Sequence, residues 1–572
     1  MGVKPNGKSA LLFCAAASLV FSTVALSGDP TSKHRNVIVL VMDGCGASHT
    51  SLTRWYKGTS LHLDRMNVAG VRTYGSESII TDSAPAATAF ACGYKTSDGF
   101  VAVLPARTTI PGVPAVPASL RYKPIPSVLE GARLYGKSVG LVTTINIQHA
   151  TPAGYSAHTP DRSKYADIAE QQVFLDIDVV LGGGRRYLLP KARGGSRNDG
   201  DDLTEALAAR GYQLVSKRSE LLGASPSKLW GMFAADAMSH EFDRIAFELE
   251  QPSLAEMTEK AIEILSRDPD GFFLMVEGGR IDTASHAHDP IGVISDVLAY
   301  DEAVGKAFDF AQEDGETVVL AFSDHGNGGL SIGSKTTTVD YTRLATVVNP
   351  LRAAKLTGEG VSRALGTNRS STRIRSVMSE YYGVSDLSSS EVQTIVSTDG
   401  SVARVIGPMM SQRSNLAWTT GNHTGEDLFL YYWGFDQPLG AIENTEIARM
   451  CAETMGFDLA EVDRELFVEA KPAFEAIGAQ VSLDQTDSPN PVFVVQTPRM
   501  TARMPINRDT VQVVVKVARD LYAEQEFMLD GVTIYAPNTG KVYVPAAAID
   551  LIKEPPLRDF RPPTDRRRRE SR

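Results

Sequence analysis

Cysteine is scarce in this chain: Cys14, Cys45, Cys92 and Cys451 are the only four in 572 residues. Cys14 falls in an N-terminal segment with the marks of an export signal. The remaining three are an odd, widely spaced set with no CxxC pair, which excludes both a disulfide framework and a thiolate zinc site. A Cys45–Cys92 pairing stays open at this point. Positive charge is also in deficit: 57 Lys and Arg stand against 68 Asp and Glu, a formal balance of −11. That argues against a nucleic-acid partner, whose binding face is basic. An anionic substrate would have to be drawn in locally, by metal ions or placed arginines. After the N-terminal segment no apolar run is long enough to cross a membrane. No internal repeat is visible. Hydrophobic residues make up 43 %, which excludes general disorder and suits a core of several hundred residues plus a further module.

The N-terminus reads as a secretory signal. Lys4 and Lys8 precede an uncharged apolar run from Leu11 to Leu26, and Ala25-Leu26-Ser27 offers a cleavage site after Ser27. The alternative is an uncleaved anchor helix. A lipoprotein is ruled out by Phe13, where a small residue should precede Cys14.

Buried strands show as continuous apolar runs. They occur at 37–42, 139–142, 179–181, 272–276, 318–322 and 428–432. Helical patterns lie between several of them. Val293, Val297, Val304 and Phe308, with Ile294 and Leu298, form one apolar stripe. Alternation of this kind predicts an α/β three-layer sandwich around a largely parallel sheet, with its site beyond the carboxyl ends of the strands. Between about 337 and 418 the strand rhythm lapses into short helical segments, 371–382 and 388–397 among them. This reads as a helical cap inserted over the site. After about Val468 the pattern turns to strands, with a hairpin around Pro537-Asn538-Thr539-Gly540. The last stretch, 555–572, is a basic tail whose composition predicts disorder.

Three of the strands end in groups suited to divalent metals: Asp43-Gly44, Glu277 through Asp282 to His286, and Asp324-His325. A fourth group, His423-Thr424-Gly425-Glu426-Asp427, precedes a strand instead. Carboxylates and imidazoles are natural zinc ligands when thiolates are absent, and carboxylate and hydroxyl oxygens suit magnesium. An Asp ending one strand is more often structural. Four such groups beside four strands are hard to explain as solvated loops, and three of the ten histidines fall here. The nucleophile candidate is Ser83, in Thr81-Asp82-Ser83-Ala84-Pro85-Ala86-Ala87-Thr88-Ala89. Small residues follow it, and Pro85 fits a first helical turn. A helix N-terminus there would bind phosphate. The bland alternative is that Asp-Ser merely caps the helix.

Taken together these segments resemble the alkaline phosphatases, in order and spacing, over about 35–457. Gln148-His149-Ala150-Thr151-Pro152-Ala153-Gly154 and Gly271-Phe272-Phe273-Leu274 are close as well. The resemblance implies a homodimeric phosphomonoesterase with two zinc ions and one magnesium per chain, acting on small phosphate monoesters; the signal segment places it as secreted or periplasmic. It implies Asp282, His286 and His423 at the first zinc, and Asp43, Asp324 and His325 at the second, beside Ser83. Asp43, Thr151 and Glu277 would share the magnesium. Arg162 would grip two phosphate oxygens, a bidentate task that suits a planar guanidinium. Beside the third site the family carries Asp with Lys, or His at both positions. Here His149 stands with Thr283, so one imidazole lacks its usual companion, and looser, less selective magnesium binding is expected. His288 matches no family ligand.

On this reading 1–27 is the signal, 28–470 the catalytic domain with its cap at about 337–418, 485–554 a small separate β module, and 555–572 the tail. A sulfatase of the same superfamily would need Arg where Ala87 stands. A phosphodiesterase relative would more often carry Thr as nucleophile and lack Arg162. A non-catalytic surface protein retaining the fold should have lost ligands, and none of the six zinc positions is lost.

Overall fold

The computed structural model describes residues 35–337, 343–435, 439–518 and 521–554; the signal segment and the basic tail lie outside the described residues. Ten strands form the central sheet. In chain order these are β1 (Asn36–Val41), β2 (Asn67–Arg72), β3 (Ser138–Asn146), β4 (Val179–Gly183), β5 (Gln213–Val215), β6 (Leu229–Met232), β7 (Phe272–Glu277), β8 (Thr317–Phe322), β9 (Leu428–Trp433) and β10 (Ala441–Glu443). Their spatial order is β10-β2-β9-β8-β1-β7-β3-β4-β6-β5. Every pairing is parallel except those of β9, which runs antiparallel to both β8 and β2.

The apolar runs are explained by double burial. Along β1, Val37, Val39 and Val41 face one core, and Ile38 and Leu40 face the other. Helices Ser83–Cys92, Val128–Leu134, Ala150–Ser156 and Asn444–Met455 cover the first face. Helices Leu254–Leu265 and Pro290–Asp314 cover the second. The expected three-layer sandwich with a largely parallel sheet is therefore what forms. The edge strands β10 and β5, and their neighbours β2 and β6, are too short or too polar to show as apolar runs.

The 25-residue helix Pro290–Asp314 begins with the Asp289 side chain accepting from the Ile291 amide and has Pro290 in its first turn. The stripe read from the sequence divides on it. Val293, Val297, Val304 and Phe308 face the sheet, while Ile294 and Leu298 face a third core. That core belongs to five helices between Leu344 and Arg413.

The C-terminal strands differ from the sequence reading in extent and attachment. A five-stranded antiparallel meander spans Gln480–Met528, starting before 485. The expected hairpin forms as Ile534–Ala536 and Lys541–Val544, but it pairs with Val468–Glu469 and not with the meander. Its Ile534, Ala536 and Tyr543, with Val532, join the core under the main sheet. Ion pairs Arg508–Glu170 and Arg210–Asp509 add to the attachment. Apolar side chains thus cross the boundary that the composition change suggested. Cys45, Cys92 and Cys451 are buried free thiols, so the Cys45–Cys92 pairing left open above is not made.

Candidate active site

All four metal-type groups meet at one edge of the sheet. Asp43 and Asp324-His325 follow the carboxyl ends of β1 and β8, and Glu277 is the last residue of β7; the three strands are hydrogen-bonded neighbours. His423 precedes β9 for a topological reason: β9 is antiparallel, so its start lies at the edge where its neighbours end. Gly44 makes the convergence possible. Its φ is +73°, and a Cβ there would lie 2.6 Å from Asp282 Oδ1.

Ser83 opens its helix, with Asp82 at the N-cap position. The capping alternative fails on a contact. The Asp82 carboxylate makes no cap hydrogen bond and instead accepts from Arg162 Nη1 at 2.5 Å. Ser83 is 2 % exposed, and its Oγ lies 3.1 Å from His325 Nε2. That same nitrogen is 3.2 Å from Asp324 Oδ2 and 3.6 Å from Asp43 Oδ1. Asp282 faces His286 Nε2 at 3.3 Å and His423 Nε2 at 3.7 Å. Each of the three histidines turns Nδ1 to a backbone carbonyl: His286 to Gly421 at 2.7 Å, His423 to Thr81 at 3.0 Å, His325 to Gly326 at 3.3 Å. A proton fixed on Nδ1 leaves every Nε2 lone pair free for a metal.

The third group comprises Asp43, Glu277 and His149, whose ligand atoms lie within 4.8 Å of one another. Thr143 donates to Glu277 Oε2 at 2.6 Å. Arg162 Nη2 donates to His149 Nε2 at 2.9 Å, and Nδ1 of that ring stands 3.9 Å from Asp43 Oδ2. Thr283 is half-buried beside Asp282 and lines a cavity with His286.

These side chains fit cations and little else. Both Asp43 oxygens, Asp324 Oδ2, Glu277 Oε1 and Thr151 Oγ1 are buried with no hydrogen-bond partner. Such a cluster of unmet oxygens is costly unless something positive occupies it. The electrostatics agree. Burial, then the charges of Asp324, Asp282 and Glu277, push the Asp43 carboxyl far above its usual range. Burial lifts Glu277 to about 7. Burial also opposes ionisation of Asp282, but its hydrogen bond to His286 and the neighbouring imidazoles hold it well below the carboxylate range. All-oxygen and imidazole donors match zinc and magnesium.

Sequence reasoning missed Asp82 as the partner of Arg162. It also missed Asn327, whose Nδ2 donates to Asp282 Oδ1 at 2.6 Å. Asn327 lies two residues after His325, and that adjacency was the available signal. His288 stays outside the ligand groups: it stacks on Trp418 at 5.0 Å and bonds to the Thr420 carbonyl.

The comparisons point one way. The family model described as "Alkaline phosphatase" matches residues 34–457. Alkaline phosphatase 3 of Bacillus subtilis is 32 % identical, over 81 % of this chain and 100 % of its own length. The repressible alkaline phosphatase of Saccharomyces cerevisiae is 31 % identical, over 79 % of this chain and 86 % of its own. The crystal structure of the Thermus thermophilus alkaline phosphatase superposes with a TM-score of 0.65 at 30 % identity, covering 76 % of this chain and 96 % of that one. With Ser83, Arg162 and the carboxylate and imidazole groups gathered at one end of the sheet, and with the family model matching residues 34–457, the chain belongs to the alkaline phosphatase family.

Proposed function

We propose that this enzyme hydrolyses phosphate monoesters through a phosphoserine at Ser83, at a site built for two zinc ions and one magnesium. The observation that carries the reading is the position of Ser83 Oγ at a helix N-terminus, bordered by buried ligand atoms that have no other partner. Asp282, His286 and His423 would hold the first zinc, Asp43, Asp324 and His325 the second, and Asp43, Thr151 and Glu277 the magnesium. When bound, these ions supply Lewis acidity, lowering the pKa of a hydroxyl or water and offsetting charge on the phosphoryl oxygens. The Ser83 oxygen forms the bond to phosphorus as the bond to the alcohol breaks. The Arg162 guanidinium, steadied by Asp82 and His149, orients two non-bridging oxygens. First-turn amides of the Ser83 helix face the same oxygens. Water then cleaves the Ser83 ester and releases phosphate.

His149 and Thr283 bear on the third site. Histidine-to-aspartate and histidine-to-glutamate mutants of the Antarctic TAB5 alkaline phosphatase are described with magnesium in the M3 site. We read His149 as the corresponding kind of residue, which would favour looser magnesium binding here. A sulfatase reading is disfavoured by packing: Ala87 faces Gly154 so closely that an arginine has no room. A homodimer would cover the exposed apolar side chains of Ile79 and Ile80, which lie against Gly425 two residues after His423, and those of Val68 and Phe429 on the paired strands β2 and β9. Export rests on the N-terminal sequence alone.

The test is Ser83→Ala. Turnover of an aryl phosphate should fall to near background with the thermal midpoint unchanged. A phosphoenzyme trapped at any other residue would refute the assignment.

A further inference from the structure

Next to the first metal group lies a cavity of about 440 Å³, lined by Thr283 and His286 on one side and by the helical region on the other. Its inner charges are already matched. Glu359 pairs with Arg280, His240 with Asp296 at 2.6 Å, and Asp289 accepts from the Gly358 amide at 2.7 Å. Two charged residues of the lining are different. Among the described residues, Arg404 and Asp399 make no ion pair and no side-chain hydrogen bond, and both are exposed.

Their placement is held by the fold. Arg404 lies in helix Ala403–Arg413. One turn on, Gly407 presses against the chain just past His286: a Cβ at Gly407 would lie 2.6 Å from the carbonyl oxygens of both Ala287 and His288. Residues three apart share a helix face, so Arg404 lies on the side of its helix that Gly407 turns to this chain segment, and it lines the cavity together with His286. The loop bearing Asp399 is tied down by Arg369, which holds the carbonyls of Thr398 and Gly400. A cation and an anion without protein partners among the described residues therefore extend from a held backbone on the wall of a cavity that His286 also lines.

We propose that this cavity receives the alcohol portion of the substrate, and that Arg404 and Asp399 select alcohols carrying a carboxylate and an ammonium group, as a hydroxy-amino acid does. The inference rests on the reading that the ester is cleaved at Ser83. The guanidinium would take the carboxylate in a two-pronged contact, and the Asp399 carboxylate would take the ammonium. Both side chains are open to solvent, so the selectivity from each contact is modest, about twofold to fivefold.

Four small esters test it: O-phosphoserine, 3-phosphoglycerate without the ammonium, phosphoethanolamine without the carboxylate, and glycerol 1-phosphate with neither. The readout is the ratio of kcat/KM values within the set, measured on the metal-loaded full chain, which cancels any general loss of activity. In the wild type O-phosphoserine should lead. Arg404→Ala should lower the phosphoserine-to-phosphoethanolamine ratio by about twofold to fivefold, with partial recovery in Arg404→Lys. Asp399→Asn should instead lower the phosphoserine-to-phosphoglycerate ratio. Ratios unchanged in both variants overturn the subsite while leaving the phosphatase reading intact. A wild type inert to all four and to an aryl phosphate overturns that reading and the subsite with it.

Discussion

Gly154→Ala is the sharpest single perturbation that the site's packing offers. The helix carrying Thr151 and the helix carrying Ser83 touch where Gly154 meets Ala87, one turn beyond each of those residues. A Cβ on Gly154 would lie 2.6 Å from Ala87 Cβ and 3.1 Å from Ala87 C. Carbon pairs settle at about 3.5–4.0 Å, so the helices must separate by roughly 1 Å. Neither can yield easily, because both are buried along their whole length. Overpacking of this kind costs about 1–3 kcal/mol, and the helix preference of Ala returns up to about 1 kcal/mol of it. The larger effect falls on geometry. Moving the nucleophile by about 1 Å relative to its partners costs on the order of 100-fold in rate. The assay is kcat on an aryl phosphate at saturating metal, beside a thermal melt. We expect kcat to fall between 10-fold and 100-fold, about, with a midpoint only a few degrees lower, about. Adding Ala87→Gly should restore most of kcat while leaving stability low. A Gly154→Ala enzyme with wild-type kcat would refute the argument that this contact sets the distance between the two helices.

Metal removal should abolish activity and also lower the thermal midpoint, since the ions bind only the folded chain; an exhaustively demetallated sample with full activity would refute the site. In zinc-loaded protein, His149→Asp should retain magnesium more tightly than the wild type, and identical titration curves would show that His149 does not tune that position. Truncation at 485 should yield a destabilised or insoluble protein, although every proposed catalytic group lies before it. Loss of Val532, Ile534 and Tyr543 from the main core costs on the order of 5 kcal/mol, a large share of a typical total; a soluble, active truncate would show that the hairpin is dispensable. Burial and Arg280 press the His240 pKa down, but Asp296 and Glu359 outweigh them and leave it raised above 6.5. Its contribution to stability is thus full below pH 6.5 and fades as pH rises through the raised value. Melts of wild type and His240→Gln across that range should converge on the alkaline side, and a constant gap would refute the linkage.

The central strands were legible because strands buried on both faces read as unbroken apolar runs, as at Val37–Val41. β5 and β10 were not, because three-residue edge strands carry too few residues to form a pattern. The ligand groups were legible because each sits at a strand end. Their assembly was not, since nothing local says that β9 runs backwards. Asp82 reads as a helix cap by local preference. Only the fold, which brings Arg162 to it from 80 positions away, shows otherwise. The C-terminal boundary misled for a related reason: composition changes there, but the apolar contacts of Tyr543 cross it.

The antiparallel course of β9 has a consequence for the order in which this protein can be completed. On the proposed assignment, the magnesium ligands end with Glu277, the second zinc's with His325 and the first zinc's with His423. A chain emerging from its N-terminus would thus present one closed ligand set after another. The last becomes available only when the whole helical insertion has emerged and β9 has slotted between β8 and β2. Zinc at that position would then act as a receipt for correct assembly. A molecule that stalled in the insertion would hold part of its metal complement and lack the rest, and could be told apart by metal content before any substrate was added.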